Sequence, residues 1–229
     1  MEQALVENLV VANRILDKAE LTVPFGHVSA RIPGTDRLLI SRAVAPSLVQ
    51  AEDMLVVDLQ GKILEGSGKW HGETWIHICI YRARPEINGV VHTHSLYVTA
   101  LATAETGFIP ATIFGTAFSD APTYKKAGLI HNEERGVAMA ELMGSAPAIL
   151  LKGHGASVAG ATLEEATARA IMMEEAAKIQ IFAGIAGKVT PYDSEELGRF
   201  KKELDHQRVR NDRPGGLFER VWEHYKSKL

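Results

Sequence analysis

Three histidines in this chain of 229 residues have a spacing that could hold a metal ion. His92 and His94 are separated by one residue at the end of the apolar segment Gly89-Val90-Val91. Because side chains alternate along a strand, both imidazoles should point to one face and Thr93 to the other. His154 follows a second apolar segment and lies between two glycines, where the backbone can turn sharply. Three neutral imidazoles leave a divalent ion with open coordination positions, as in a Lewis-acid catalyst.

Both histidine segments also have a second interpretation. A His-x-His pair alone is equally typical of two hydrogen-bonded polar residues. The wholly apolar strand before His92 favours metal ligation, because polar imidazoles are uncommon at the end of such a strand unless they have a function. Gly153 and Gly155 could begin a nucleotide-binding loop. The next glycine is Gly160, so the G-x-G-x-x-G spacing is not met and we discount that loop.

An acidic residue, Glu73, begins the helix predicted over residues 72–84, which leads into the His92 strand. A carboxylate at a helix N-terminus also compensates the helix dipole, so a purely structural role stays open at this point. His77 lies one turn later on the same helix face, and we expect it to be a hydrogen-bonding residue rather than a ligand.

The elements that position these residues alternate between helical and extended patterns. Strands are predicted at 38–40, 54–57, 62–64, 89–94 and 148–151, and helices at 2–19, 72–84 and 132–143. Thr162 with Glu165 predicts the capped start of the longest helix, and Asp193 with Glu196 predicts a later one. Residues 213–229 form a predicted tail, with a hinge at Pro214-Gly215-Gly216 and an amphipathic helix that could lie at a subunit interface. This order of elements predicts an α/β protein with a central sheet layered by helices.

The composition excludes several classes of function. The net charge is −3 and no block of Lys and Arg is present, so we expect neither nucleic acid nor a membrane surface as a partner. The single cysteine, Cys79, excludes an internal disulfide and multi-cysteine metal sites. No apolar segment approaches the roughly 20 residues that span a bilayer, and no signal peptide is visible, so we expect a cytoplasmic protein.

Six segments form a specific combination in their order along the chain. They are Gly26-His27-Val28-Ser29, Val56-Val57-Asp58-Leu59-Gln60-Gly61, Glu73-Thr74-Trp75-Ile76-His77, Tyr81-Arg82-Ala83-Arg84-Pro85, Val90-Val91-His92-Thr93-His94-Ser95 and Leu150-Leu151-Lys152-Gly153-His154-Gly155. In these segments the chain resembles the class II aldolase/adducin family.

This resemblance implies a fold, a cofactor and an assembly. The fold is a single αβα domain over residues 1–229, with a central, largely antiparallel sheet. The cofactor is one divalent ion per subunit, held by His92, His94 and His154, with Glu73 as the acid/base. Zinc or manganese is the expected ion; magnesium, cobalt and iron are alternatives, because imidazoles accept several first-row ions. The expected assembly is a homotetramer.

The chain departs from the sugar-phosphate members of the family where they bind phosphate. Those members have Gly-Asn near Gly26-His27, Thr-Gly where this chain has Arg42-Ala43, and Ser-Ser where it has His71-Gly72. The replacements are bulkier and could be cationic, so we expect His27, Arg42 and His71, with Ser29, to bind a carboxylate. Together with Ala45-Pro46 they resemble the decarboxylases of hydroxylated aromatic or pyridine carboxylates.

The resemblance therefore predicts a metal-dependent decarboxylase that acts on a small carboxylate. Glu73 would return a proton to carbon, and we expect burial to raise its pKa for that purpose. Tyr124 or Tyr192 would complete proton transfer. An aldolase or epimerase acting on a sugar phosphate or sugar acid is the alternative. A non-catalytic module like the adducin head is a third interpretation, which the retained histidines and Glu73 argue against.

Overall fold

Eight strands form one sheet in the computed structural model of the chain, which describes residues 3–22, 24–211 and 216–229. The strands are β1 (His27–Arg31), β2 (Arg37–Ser41), β3 (Met54–Asp58), β4 (Ile63–Glu65), β5 (Gly89–Thr93), β6 (Thr123–Tyr124), β7 (Ala148–Leu151) and β8 (Gly155–Gly160). Their order across the sheet is β4-β3-β2-β1-β5-β8-β7-β6. Neighbouring strands are antiparallel except for β6 and β7, which are parallel. The predicted single α/β domain with a largely antiparallel sheet is confirmed.

Helices cover both faces of this sheet. They are α1 (Gln3–Lys18), α2 (Thr74–Ala83), α3 (Leu96–Ala104), α4 (Ile113–Thr116), α5 (Glu133–Met143), α6 (Leu163–Ala186), α7 (Ser194–Asn211) and α8 (Leu217–Lys226). One apolar core lies between the sheet and α1, α3, α6 and α8, and a second lies between the sheet and α2 and α5.

Alternation along β1 and β5 decides which side chains meet α2. Val28 and Val91 belong to the core under α1 and α6, so the residues next to them point to the opposite face. His27 and His92 are directly paired across the two strands, and both point to the α2 face. The histidines therefore lie in the layer of the molecule that contains α2.

Most predicted elements are confirmed, with ends displaced by one or two residues. Thr162 caps α6, the longest helix of the described residues, and its Oγ1 accepts a hydrogen bond from the N–H of Glu165 at 3.1 Å. Asp193 and Glu196 likewise bond each other's backbone N–H at the start of α7. Strands β1, β6 and β8 and helices α3 and α4 were not predicted. The strand predicted over 89–94 ends at Thr93, one residue before the second histidine.

The tail helix packs on its own chain. Trp222 of α8 is 4% exposed and belongs to the core formed with α1 and α6. The predicted hinge at Pro214-Gly215-Gly216 lies outside the described residues except for Gly216. Within the described ranges, no helix is long and apolar enough to cross a membrane.

Candidate metal centre

Four side chains from separate elements converge where β5 ends. His92 is on β5, His94 follows that strand, His154 lies in the turn between β7 and β8, and Glu73 precedes α2. One ligand atom from each lies within 4.8 Å of the others. We call Glu73, His92, His94 and His154 the metal cluster, because this donor set fits a divalent metal site.

Hydrogen bonding at Nδ1 leaves Nε2 of His92 free to bind a metal. Its Nδ1 lies 3.0 Å from the carbonyl oxygen of Ala156, which can only accept, so Nδ1 carries the proton. Nε2 therefore has a lone pair, and it lies 3.0 Å from Nε2 of His94. A backbone carbonyl that fixes the tautomer of an imidazole is typical of metal-binding histidines.

His154 provides a second indication that the cluster fits a cation. Its Nε2 is fully buried and makes no hydrogen bond of acceptable geometry to any described residue, although Oε2 of Glu73 lies 3.2 Å away. A buried nitrogen without a hydrogen bond is costly unless another group satisfies it. The sharp turn that presents His154 depends on Gly155, whose φ is +148°. A Cβ there would lie 2.0 Å from the carbonyl oxygen of Thr93.

Burial keeps two imidazoles of the cluster, His92 and His94, neutral near pH 7. Burial lowers the pKa of His92 to about 3 despite the opposing effect of the Glu73 carboxylate. Burial also lowers the pKa of His94, and His154 adds to this effect. Neutral imidazoles are the form that binds metal, so at neutral pH no proton competes with a cation for these two rings.

The carboxylate of Glu73 does not cap its own helix. No side-chain hydrogen bond caps the start of α2; instead, Oε1 of Glu73 accepts the backbone N–H of Ile130 at 2.7 Å. Burial raises the pKa of this group, but contacts with His154, His92 and Ile130 outweigh burial and lower the pKa to about 2. The expectation of a raised pKa is therefore wrong, because it took account of burial alone.

A row of imidazoles leads away from the metal cluster. The His27 ring lies between His92 and His71, with ring centroids 4.9 and 4.6 Å apart. Burial lowers the pKa of His27 well below its usual value and that of His71 to about 4. Both rings are thus uncharged near pH 7, and the expectation that they could act as cations is wrong.

Arg42 is next in sequence to Ser41, which contacts the last imidazole of this row. The preceding Ser41 contacts Nε2 of His71 through Oγ at 3.1 Å. Nε of Arg42 donates to Oδ1 of Asp53 at 2.7 Å, and the arginine side chain remains 45% exposed. Asp53 also accepts the backbone N–H of Gln50, so it holds Arg42 in a defined orientation.

Ser29 and Tyr124 are placed differently from the other predicted residues. Ser29 is fully buried, and its Oγ contacts His77 and Tyr81 rather than the surface. Tyr124 packs in the core under α2 and α5, and its hydroxyl is buried without a partner among the described residues. Tyr192 lies elsewhere, against Phe200. No contact of either tyrosine with the metal cluster is observed among the described residues.

Sequence reasoning missed three residues that support the site. They are Tyr81, which contacts Ser29; Asp53, which holds Arg42; and Ile130, whose N–H binds Glu73. Tyr81 lies on the helix face of His77, and that spacing was the one available signal. Contacts over longer sequence separations leave no local pattern.

The fold and the cluster together define a class: α/β proteins with a divalent metal site built from one carboxylate and three imidazoles. Residues 7–181 match the family described as Class II Aldolase and Adducin N-terminal domain, and the chain belongs to that family.

Individual relatives agree with this assignment. A 3,4-dihydroxyphthalate decarboxylase from Arthrobacter keyseri is 34% identical over 178 residues, which are 71% of each chain. The structure of an aldolase II superfamily protein from Pseudomonas syringae matches with a TM-score of 0.86 at 23% identity, covering 98% of this chain and 91% of that one. An L-fuculose 1-phosphate aldolase matches with a TM-score of 0.83 at 22% identity, covering 90% and 98%. These two structures support the fold alone.

Proposed function

We propose that the chain is a divalent-metal-dependent carbon–carbon lyase that decarboxylates a hydroxylated aromatic carboxylate. The observation that supports this most is the row of imidazoles that leads from the metal cluster through His27 to His71, which contacts Ser41, the residue before Arg42. It combines a metal site with a guanidinium that Asp53 orients, at a position where the family resemblance led us to expect small phosphate-binding residues in sugar-phosphate members. The decarboxylase that is 34% identical supports the same reaction.

His92, His94 and His154 would hold the ion, with Glu73 beside it. A divalent cation bound there supplies a Lewis acid that stabilises negative charge on a substrate oxygen while the C–C bond breaks. We favour zinc or manganese, and we retain the homotetramer and the cytoplasmic location as predictions.

Glu73 moves the proton that the reaction requires. With its pKa lowered to about 2, the carboxylate is ionised near pH 7 and can accept a proton from a substrate hydroxyl. Carbon dioxide then leaves, and the electron pair of the broken bond takes that proton from Glu73 at the ring carbon. The product regains its hydroxyl proton from solvent.

Arg42 would orient the substrate through a second carboxylate. Asp53 accepts from Nε, so the two terminal nitrogens remain available for a carboxylate. The neutral His27 and His71 would line the space between this anchor and the metal cluster.

Product analysis tests the proposal. Zinc- or manganese-loaded protein is incubated separately with 3,4-dihydroxyphthalate and with L-fuculose 1-phosphate, and carbon dioxide and aldehyde are measured. We expect carbon dioxide and a dihydroxybenzoate from the first compound and no aldehyde from the second. Aldehyde release without carbon dioxide would instead support the aldolase alternative. The Glu73→Gln variant, loaded with the same metal, is the matched control for both assays.

A further inference from the structure

A buried chain of hydrogen bonds runs from His27 into the core. Nδ1 of His27 lies 2.6 Å from Nε2 of His77, and Nδ1 of His77 lies 2.6 Å from Oγ of Ser29. The hydroxyl of Tyr81 lies 2.9 Å from that Oγ and 3.0 Å from the carbonyl oxygen of Ser29. We call His27, His77, Ser29 and Tyr81 the buried chain; His27 is 4% exposed, and the other three are at most 1% exposed.

The number of available protons fixes which atom donates and which accepts at each contact of the buried chain. Its four contacts need one proton each, and the carbonyl oxygen of Ser29 can only accept. Tyr81 must therefore donate to the carbonyl, and Ser29 must donate to Tyr81. His77 then donates from Nδ1 to Ser29, and His27 donates from Nδ1 to Nε2 of His77. With neutral imidazoles, every contact in this direction holds one proton.

The reverse direction leaves one contact without a proton. If His77 donated from Nε2 to His27, Ser29 would donate to His77 and Tyr81 would donate to Oγ of Ser29. The Tyr81 oxygen and the Ser29 carbonyl would then face each other as two acceptors at 3.0 Å. A buried contact between two acceptors costs free energy, so the first direction is favoured.

The direction determines which group His27 presents. With the proton on Nδ1, Nε2 carries a lone pair, and it makes no hydrogen bond within the described part of the chain. His27 is 4% exposed, and a donor on a bound molecule would supply the hydrogen bond that this nitrogen lacks. The ring packs beside His92 of the metal cluster, so an acceptor lies next to the metal ligands.

We propose that Nε2 of His27 accepts a hydrogen bond from a substrate hydroxyl, and that His77, Ser29 and Tyr81 are positioning residues that hold this tautomer. The substrate class is thereby narrowed to carboxylates with a hydroxyl group near the metal-bound end. A carboxylate has no proton to offer Nε2, so the anchoring of carboxylate falls to Arg42. This inference rests on the proposed function, because it concerns the substrate of the same site.

Neutron diffraction from crystals of the zinc-loaded protein in heavy water tests the tautomer directly. We expect deuterium on Nδ1 of both His27 and His77 and none on Nε2 of His27. Deuterium on Nε2 of His27 would overturn the inference. This readout needs no turnover, so it is independent of the proposed decarboxylation.

Binding to two matched probes tests the role in recognition. The zinc-loaded protein is titrated calorimetrically with 3-hydroxybenzoate and with 3-fluorobenzoate, which is similar in size but has no proton to donate. We expect the hydroxyl compound to bind about tenfold more tightly, as one hydrogen bond allows. Tyr81→Phe should reduce this ratio to about threefold or less, because the direction of the chain is no longer fixed. Ser29→Ala, which interrupts the same chain, should do likewise if Tyr81→Phe folds poorly.

The binding assay needs a control variant that leaves the buried chain intact. Tyr225→Phe in α8 removes a hydroxyl that is not part of the buried chain of hydrogen bonds. This variant should leave the ratio of the two binding constants unchanged. Equal binding of both probes by the wild type, or an unchanged ratio in both chain variants, would overturn the inference while leaving decarboxylation intact. If neither benzoate bound and no carbon dioxide formed, the proposed function would fail, and the hydroxyl assignment with it.

Discussion

The metal cluster and the buried chain are built from the same kind of residue on the same face of the sheet, yet they use imidazole in opposite ways. In the metal cluster, one nitrogen of His92 is occupied by a backbone carbonyl, and the other converges with His94 and His154. In the buried chain, both nitrogens of His77 are occupied by neighbouring side chains. His92 therefore keeps one ring nitrogen for a cation, whereas His77 keeps none and can only position its neighbours.

The largest expected effect comes from the acidic member of the metal cluster. Glu73→Gln keeps the size and the contact with Ile130 but cannot carry a proton, so kcat should fall about 1,000-fold. The metal content, measured by mass spectrometry, should stay near that of the wild type because the three imidazoles remain. A variant with full kcat would contradict the role of Glu73.

Acid should destabilise the metal-free protein through the buried histidines of both groups. Burial lowers the pKa of His27, His77 and His92 in the folded state, whereas the unfolded chain titrates near 6.5. Below pH 6.5 the unfolded state binds more protons, so the free energy of unfolding falls as the pH decreases. For three such groups the loss between pH 7.5 and 5.5 is about 4 kcal/mol.

Urea unfolding with a chelator at both pH values measures this loss. His77→Gln should reduce the loss by about a third, and His224→Gln on the exposed side of α8 should not change it. A free energy of unfolding that is the same at both pH values would show that these histidines are protonated in the folded state.

Two glycines beside His154 should respond differently to the same substitution. Gly155→Ala places a methyl group against the Thr93 carbonyl and should cost about 3 kcal/mol of stability and weaken zinc binding. Gly153 has φ +65° with open space around its missing side chain, so Gly153→Ala should cost about 1 kcal/mol. Thermal unfolding and zinc titration of both variants measure this difference, and equal losses would contradict the close approach of β5 and β8.

The smallest predicted effect concerns the substrate anchor. Arg42→Lys loses bidentate geometry, and Asp53→Asn loses the charge that orients Arg42, so each should raise KM about tenfold. The value of kcat should stay within about threefold, because neither residue belongs to the metal cluster. Arg37→Lys at the exposed start of β2 is the control for steady-state kinetics. Unchanged KM in both variants would remove Arg42 from the proposed site.

The sequence predicted those parts of the fold whose patterns are local. Helix α6 has a capping pair, and β5 and β7 are continuous apolar segments, so each was recognisable alone. Strand β1 was missed although His27, Ser29 and Arg31 alternate with apolar residues, because the alternation extends over only five residues. Those polar side chains are compensated by α2, through contacts such as Arg31 with the carbonyl of Tyr81, 50 residues away in sequence.

For the site, the sequence predicted which residues take part but not their protonation states. Residue type and spacing selected the three histidines as a candidate metal site, the family resemblance added Glu73, and the structure brings the four side chains together. The direction of the pKa shift of Glu73 was not predictable, because burial raises this pKa while contacts with His154, His92 and the N–H of Ile130, all distant in sequence, lower it. The tautomer of His27 was not predictable either, because it depends on hydrogen bonds among four residues, two on β1 and two on α2.

The distinction between the two histidine groups is tested most directly by metal analysis of three purified proteins: the wild type, His94→Gln and His77→Gln. After reconstitution with zinc and removal of excess ion, mass spectrometry gives the zinc content per chain. We predict about one ion in the wild type, loss of that ion in His94→Gln, and retention in His77→Gln. A wild type that binds no zinc, or a His94→Gln variant that retains zinc while His77→Gln loses it, would contradict the account.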